Sequence, residues 1–446
     1  MTTTTSERKR TTVVIVLGDF GRSPRMQYHA LSLARDAGHA VDVIAYDAGT
    51  PPAREIIEHP MITMRCVTRG EWRVTEGWPN VARLVARVLA QCIHLVFLLA
   101  TMPRADAVLV QNPPCLPTFT ACGVVCAVRG MELIVDWHNL AYTLFALKYG
   151  ADGLMTRFCE KYERWQGKRW GTKHLCVTRA MREFLEREWG LERVAVVYDR
   201  APDCFRRAAE RAAREERWEF WNAPRVAQAL RASSVARSGD VLDRYLDGTH
   251  PDMAHNKPRF VVSSTSWTPD ENFGVLLDAA IEYDGIKRSK KEKGLKHYPD
   301  LVIVVTGKGP QRAMYEEKMN SLALEHVAFR TVWLDVADYP HALANAHLGV
   351  CLHTSSSGLD LPMKVVDMFG ASLPVAAARY DVITELIDEG KNGALFGDAH
   401  ELTEIFKSLF SLNKQTLKAL RYGAAEKGRA RWEDNWIECV RPMFNS

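Results

Sequence analysis

The stretch Val13-Val-Ile-Val-Leu-Gly-Asp-Phe-Gly-Arg-Ser-Pro24 decides how this chain is read. Five apolar residues, four of them β-branched, predict a short buried strand. A glycine-containing turn follows. Ser23 is the N-cap candidate and Pro24 suits the first helical position, so a helix is expected over Pro24–Ala37 with Gly38 ending it. Strand, glycine turn and helix in that order are the repeating unit of an α/β sheet, which presents ligands at the carboxyl ends of its strands.

The same alternation runs outward from there. Val41–Tyr46, Ile62–Val67, Ala107–Val110, Leu133–Asp136, His174–Val177 and Val194–Val197 read as further strands. Continuous apolar runs separated by helical patterns argue for a parallel sheet covered on both faces. A second series comprises Phe260–Ser263, Leu301–Thr306, Val332–Leu334, Leu348–Leu352, Pro374–Ala377 and Ala394–Phe396, with helices expected over Asn272–Tyr283 and Gln311–Leu322. The fold class is therefore α/β, with two doubly wound, Rossmann-like domains. The expected divisions are a disordered 1–11, a first domain over 12–204, a charged helical connector over 205–257, a second domain over 258–425, and a C-terminal helix over 426–446 packing back toward the first domain. Trp432 and Trp436 share one face of that last helix. The charges of the connector read as a solvated helix face with i,i+4 pairs, and the basic run Lys287–Lys296 as a surface loop or helix end.

Composition narrows the classes. The 446 residues are 47% hydrophobic and 25% charged, ordinary globular values that exclude a fibrous or wholly disordered chain. A net charge of +4 gives no reason to expect nucleic acid as a partner. Ten cysteines lie scattered without a Cys-x-x-Cys or a zinc-type spacing, so they are expected to be reduced, buried thiols holding neither disulfide nor metal. Residues 1–10 are polar and Val13–Leu17 is too short for a signal peptide. No segment reaches the length of uncharged apolar sequence that a membrane span requires.

Val81–Met102 comes nearest. Its polar residues Arg83, Arg87, Gln91 and His94 fall four, four and three apart, in one narrow stripe of a helix about 33 Å long. The arginines oppose spanning, at roughly 2.5–3.5 kcal/mol each. The pattern suits a helix lying in a lipid interface, and equally a helix buried between a sheet and another element.

Three segments carry chemistry. After the first strand, Asp19 is expected to face the crevice between the domains, and Gly21, Arg22 and Ser23 with the helix start could take an anion. Asp136-Trp-His-Asn139 crowds titratable groups at a strand end. Asp19, Asp136 and His138 are thus the candidate bases, Asp19 first because its glycine turn leaves room for an acceptor. The third segment is His353-Thr-Ser-Ser-Ser-Gly-Leu-Asp-Leu-Pro-Met-Lys-Val-Val-Asp367, after a strand. Here His353, the hydroxyls and backbone of Ser355, Ser356, Ser357 and Gly358, and Leu361 with Pro362 lead into a helix whose positive end suits a diphosphate. Lys364 adds charge and Asp367 can accept two ribose hydroxyls. Gly307, Lys308 and Gly309 offer a second backbone cradle. Together these suit a sugar-nucleotide donor. No Asp-x-Asp occurs, so helix ends and Lys364, rather than a metal, are expected to neutralise the leaving group.

At these residues the chain resembles the chitobiosyldiphosphodolichol β-1,4-mannosyltransferases. The likeness lies in Gly18–Ala30, Gln111–Pro114, Val135–Asn139, Tyr198–Arg200, Ser263–Phe273, Thr306–Pro310 and His353–Gly370. It implies a GT-B fold, two Rossmann-like domains facing across a cleft. It implies an inverting transfer of mannose from GDP-mannose to dolichol-diphosphate-linked chitobiose, with no cofactor and no metal, at the cytosolic face of the endoplasmic reticulum. It also implies the membrane surface as a partner, touched by 81–102, and other early N-glycosylation transferases or a second copy. Such families usually begin with a hydrophobic anchor; residues 1–10 do not supply one. Two other readings remain: a GT-B enzyme with a different acceptor, and a non-catalytic scaffold subunit. Retaining relatives carry a Glu-x7-Glu pair near Pro-x-Lys, and here Asp367 fills only its second place while Leu359 stands eight residues earlier.

Overall fold

A computed structural model describes residues 9–46, 49–67, 80–251, 257–292, 298–411 and 414–445. They form two compact units. One runs to Asp199 and takes in the chain from Trp432 onward; the other is Arg200–Arg431. The expected disordered stretch falls largely on 1–8, outside the described residues.

The first unit is built on seven parallel strands: β1 (Thr11–Asp19), β2 (Ala40–Tyr46), β3 (Ile62–Val67), β4 (Ala107–Asn112), β5 (Glu132–Trp137), β6 (Lys173–Cys176) and β7 (Val194–Val196). Their order is β3-β2-β1-β4-β5-β6-β7, so the sheet reverses its winding between β1 and β4. The strand centres are buried, as residues 13–16, 43–45 and 133–135 show, because helices cover both faces. Those helices are α1 (Pro24–Arg35), α2 (Arg54–Ile57), α3 (Asn80–Thr101), α4 (Thr118–Arg129), α5 (Ala141–Tyr149), α6 (Leu154–Trp170) and α7 (Arg179–Arg187). The β1–β2 and β4–β5 crossovers run in opposite directions, which puts α1 and α4 on opposite faces. On the second face α3 packs on α4, α4 on α6, and α6 on α5, giving one continuous helical layer.

The second unit carries β8 (Arg259–Ser264), β9 (Leu301–Thr306), β10 (Val327–Val332), β11 (Leu348–Cys351), β12 (Val375–Ala378) and β13 (Gly393–Phe396), parallel in the order β10-β9-β8-β11-β12-β13. Here the winding reverses between β8 and β11. The strand expected at Val332–Leu334 lies earlier, at β10. Arg330 interrupts the apolar run in the sequence, yet it is fully buried because Asp240 takes its guanidinium through two bonds of 2.6 and 2.8 Å. A local reading cannot see an ion pair across ninety residues.

The charged stretch after Asp199 belongs to this unit. It forms α8 (Asp203–Ala212), α9 (Arg217–Asn222), α10 (Pro224–Arg231) and α11 (Val241–Leu246). Arg206–Glu210 and Arg211–Glu215 are solvated i,i+4 pairs, while Trp218 and Trp221 face the core. Trp221 stacks on Phe260 of β8 with ring centroids 4.4 Å apart and donates to the Asn345 carbonyl at 3.1 Å. The remaining helices are α12 (Phe273–Glu292), α13 (Arg312–Ser321), α14 (Tyr339–Asn345), α15 (Met363–Gly370), α16 (Ala399–Phe410) and α17 (Lys414–Gly428). Part of the basic run 287–296 thus continues α12; residues 293–297 lie outside the described ones.

The chain then re-enters the first unit as α18 (Trp432–Cys439) and α19 (Arg441–Asn445). Trp432 and Trp436 are buried against α1, with their indole N–H groups on Ser32 Oγ (3.2 Å) and His29 Nδ1 (3.0 Å). Among the described residues no helix is long and apolar enough to cross a membrane.

Removing the Trp221 ring should leave a cavity under α9. Trp221→Ala is expected to lower the stability of the second unit by about 3–5 kcal/mol in urea denaturation followed by circular dichroism. A loss below about 1 kcal/mol would show that this stacking does not hold α9 to the sheet.

Candidate active site

In the first unit the carboxyl ends of β1, β4 and β5 converge on one buried charge network. Arg25, in the first turn of α1, is 4% exposed and grips Asp136 through Nε and Nη2, both at 2.8 Å. Its Nη1 donates to the Val197 carbonyl (2.6 Å) and to Asp199 (3.0 Å) just beyond β7. His138 Nε2 lies 2.7 Å from Asp136 Oδ2. His29, one turn after Arg25, brings its Nε2 to 3.2 Å from the same oxygen, poorly aligned for a hydrogen bond. Its Nδ1 accepts from Trp436, so Nε2 carries the proton. Burial keeps His29 neutral by lowering its pKa. Burial alone would raise Asp136. The charge of Arg25, with the hydrogen bond from His138, outweighs it and holds this carboxyl well below the usual range.

Asp136 is therefore a saturated carboxylate held ionised, which makes it a weaker candidate base than its neighbour His138. His138 is different. Its side chain is partly exposed, its backbone N–H is fixed on the Asn112 carbonyl (2.9 Å), and one ring nitrogen is aligned by Asp136. Asp19 lies two strands away at the end of β1, with Arg22 Nε 3.3 Å from its carboxylate. Gly21 is required there: a Cβ would stand 2.3 Å from the Thr50 carbonyl. Ser23 occupies the N-cap position but does not cap; its hydroxyl donates to Gln111 at 2.9 Å.

Glu163 of α6 fastens the loop after β5. It accepts from Asn112 Nδ2 (2.7 Å), Ala141 N (2.8 Å) and Tyr142 N (3.1 Å), while burial pushes its carboxyl up to about 7. With Cys115 and Cys159 it is the grouping of metal-ligand residue types found among the described residues. Both of its oxygens serve the backbone and Asn112. The described cysteines are free thiols, most of them buried.

In the second unit the loops after β8, β9 and β11 meet. Gly307 has φ of +138°, and a Cβ there would stand 1.8 Å from the Thr265 carbonyl; at Gly309 it would stand 1.7 Å from that of Ser266. Only glycine lets the two loops touch. Lys308 turns away, its Nζ 4.0 Å over the Trp333 ring. Lys364, in the first turn of α15, pairs with Glu271 and reaches Ser266 Oγ at 3.3 Å. Glu271 is almost fully buried and also accepts from Thr265 Oγ1 (2.5 Å) and Ser266 N (2.6 Å). Pro362 occupies the N-cap of α15, and no side chain caps the helix.

His353 stands between Asp270 (3.6 Å) and Asp360 (3.8 Å). Asp360 also collects the hydroxyls of Ser355 and Ser357, the latter at 3.2 Å. Gly358 is left-handed at φ +72°, and Leu361 packs on the core of the unit. Ser356 and Asp367 are half-buried, Asp367 within α15. The structure thus gathers Gly307, Gly309, Lys364, His353, Ser355 and Ser357 around Glu271 and Asp360. Sequence reasoning passed over both carboxylates, and over Arg25 and His29. The one available signal was i,i+4 spacing of Arg25 and His29 behind Pro24.

Two family models match the chain: Glycosyltransferase Family 4 over residues 26–199 and Glycosyl transferases group 1 over 258–411. The Arabidopsis thaliana protein named UDP-glycosyltransferase TURAN is 43% identical, covering 97% of this chain and 96% of its own. The chitobiosyldiphosphodolichol β-mannosyltransferases of Yarrowia lipolytica and Mus musculus are 38% and 36% identical, each over 98% of this chain and over 87% and 89% of theirs. Among solved structures, sucrose-phosphate synthase of Thermosynechococcus elongatus superposes with a TM-score of 0.61 at 12% identity, over 96% of this chain and 97% of its own. Anabaena Alr3699/HepE with UDP and glucose gives 0.58 at 13%, over 98% and 97%. These structures share the GT-B fold, which the two parallel sheets display.

Because Asp136 is ionised in the folded chain down to a lower pH than in the unfolded one, its contribution to stability is full above about pH 4–5 and lost as pH falls further. Asp136→Asn leaves the buried Arg25 only the partly exposed Asp199 as its anion. It is expected to cost about 3–5 kcal/mol at neutral pH and to flatten the loss of stability below about pH 4. Denaturant midpoints measured from neutral to acid pH check both.

Proposed function

This chain belongs to the chitobiosyldiphosphodolichol β-mannosyltransferase family, and from that premise we propose how it works: it moves mannose from GDP-mannose to dolichol-diphosphate-linked chitobiose in a β-1,4 linkage. The observation that carries the mechanism is the Asp136–His138 pair at the carboxyl edge of the first sheet. The names of the relatives differ over the donor, since the Arabidopsis protein's carries UDP. The donor base is accordingly the first variable to test.

An α-linked donor giving a β-linked product requires one in-line displacement. The acceptor hydroxyl attacks C1 of mannose, the bond from C1 to phosphate breaks, and its electron pair leaves on the nucleoside diphosphate. The hydroxyl proton passes to the base. His138 is the better candidate, because a buried Asp136 held ionised both orients its ring and stabilises the imidazolium that forms. Asp19 faces Arg22 and holds no comparable partner, so it becomes the second candidate.

On the second unit, the start of α15 and Lys364 meet the departing diphosphate. Glu271 holds the Lys364 ammonium in place; because that pair is formally neutral, the uncapped start of α15 supplies the remaining positive potential. Gly307–Gly309 brings backbone close to the donor, and Asp367 takes the ribose hydroxyls. This arrangement supplies positive charge without a metal. The lipid-linked acceptor sets the reaction at a membrane surface, which we assign to the cytosolic face of the endoplasmic reticulum.

A radiolabel transfer assay tests this reading. Purified protein is offered GDP-mannose, GDP-glucose or UDP-N-acetylglucosamine with a chitobiose-diphosphate-lipid in EDTA. Mannose transfer to a β-mannosidase-sensitive product is expected. His138→Gln should lower kcat by about 10²–10⁴-fold with KM for the donor little changed, and Lys364→Ala should abolish detectable transfer. Full activity in His138→Gln together with loss in Asp19→Asn would move the base to Asp19. Transfer from none of the donors would sink the assigned activity.

A further inference from the structure

The exposed apolar surface of this protein is concentrated. Of the twenty large hydrophobic side chains exposed among the described residues, thirteen lie on α3, α4, α5 and α6. These four helices form the continuous layer on one face of the first sheet. A monomeric surface scatters such residues singly; one helical layer holding most of them marks an interaction surface.

The pattern within each helix is ordered. On α3, Val85, Leu89, Ile93 and Phe97 recur every fourth residue and are 51–70% exposed. At about 100° per residue this stripe lies roughly 120° around the axis from Leu95 and Leu99, which face the protein. Arg87 and His94 take the remaining side and are exposed. So α3 has a buried face, an apolar outer face and a polar flank. On α6, Leu154, Phe158 and Trp165 share one outward face, with Leu154 86% exposed. Val128 of α4 is 80% exposed, and Leu147 and Tyr149 extend the surface along α5.

Charge tells what covers it. Residues 141–170 hold six basic side chains, Lys148, Arg157, Lys161, Arg164, Lys168 and Arg169, against three acids, of which Glu163 is buried. Arg157, Lys161, Arg164 and Lys168 fall on one flank of α6 next to its apolar face, roughly 40–100° from its centre. Apolar residues edged by cations, with a tryptophan and a tyrosine among them, are complementary to an anionic lipid interface. The surface is also fastened to the site. Glu163 of α6 holds the N–H groups of Ala141 and Tyr142, the first residues of α5, three and four positions after His138.

We propose that α3–α6 together form one lipid-docking surface for an anionic bilayer, with α5 and α6 as its basic edge, rather than α3 acting alone. This rests on the lipid-linked acceptor of the proposed function, and deepens it: docking through α5 and α6 would set the height of the His138 loop above the membrane, where a diphosphate emerges from lipid.

Flotation with vesicles of phosphatidylcholine, alone or with about 30% phosphatidylserine, tests the proposal on the full chain. The wild-type chain should float with the anionic vesicles. Leu89→Glu/Ile93→Glu/Phe97→Glu on α3 and Leu154→Glu/Phe158→Glu/Trp165→Glu on α6 should each weaken partition by about tenfold or more. Arg157→Gln/Lys161→Gln/Arg164→Gln/Lys168→Gln should remove the preference for phosphatidylserine. Thermal melts check folding, and Ser in place of Glu at the same positions serves where a triple variant fails to fold. Transfer to a water-soluble, short-chain acceptor should stay within about twofold of wild type in every folded variant. Undiminished binding by the α6 variants would overturn the proposal. So would a wild-type chain that ignores vesicles and runs as a dimer disrupted by these substitutions, which would make the face an interface between copies. Absence of transfer to the soluble acceptor by wild type itself would instead count against the proposed function and leave the vesicle result standing.

Discussion

Arg25 carries a charge that cannot be neutralised into the interior of the first unit, and Asp136 is the anion that makes this tolerable. The pair joins residues 111 apart in sequence, and the same guanidinium reaches 174 residues on to Asp199. It also lies 5.5 Å from the ring of Trp432, which arrives from the far end of the chain. One side chain thus ties α1, β5, the end of β7 and α18 together. Each element's position at the carboxyl edge depends on it, because a break on either side would strand a buried charge.

The ion pair also divides labour among groups that look alike in sequence. One carboxylate and two imidazoles meet at the edge, and their surroundings separate them. Asp136 is held ionised and is occupied on all sides. His29 is held neutral by burial and fixed by Trp436. His138 shares an oxygen of Asp136 yet keeps contact with solvent. The second unit repeats the device in a weaker form: buried Glu271 anchors Lys364, and Asp360 anchors two serines. In both units a carboxylate behind the site positions the group in front of it.

Much of the fold was legible. Twelve of the thirteen strands overlap apolar, β-branched runs flanked by turn residues, because a parallel sheet buried on both faces demands that composition locally. The exception, β10, contains Arg330, whose burial depends on Asp240. The site motifs at Gly18–Ser23, Asp136–Asn139 and His353–Asp367 sit at strand ends, where the alternation of elements requires them. Their detailed partners were not legible. Ser23 looked like a cap and instead bonds Gln111; that Ser355 and Ser357 are held by Asp360 could not be read locally. The outer face of α3 was visible as a stripe, but its continuation over α4, α5 and α6 was not, since these helices become neighbours only when packed on the sheet.

The sequence by itself determined the α/β class, the two doubly wound series, and which residue types stand at the carboxyl edges. Those follow from short-range rules: strand periodicity, glycine in tight turns, helix starts after polar caps. Only the tertiary structure decided that Asp136 is saturated while His138 is presented, that Glu271 holds Lys364, and that four separate apolar stripes make one surface. Each of these depends on charges or faces brought together from tens to hundreds of residues apart, and electrostatic and packing energies are set by distance in space, to which local sequence is blind.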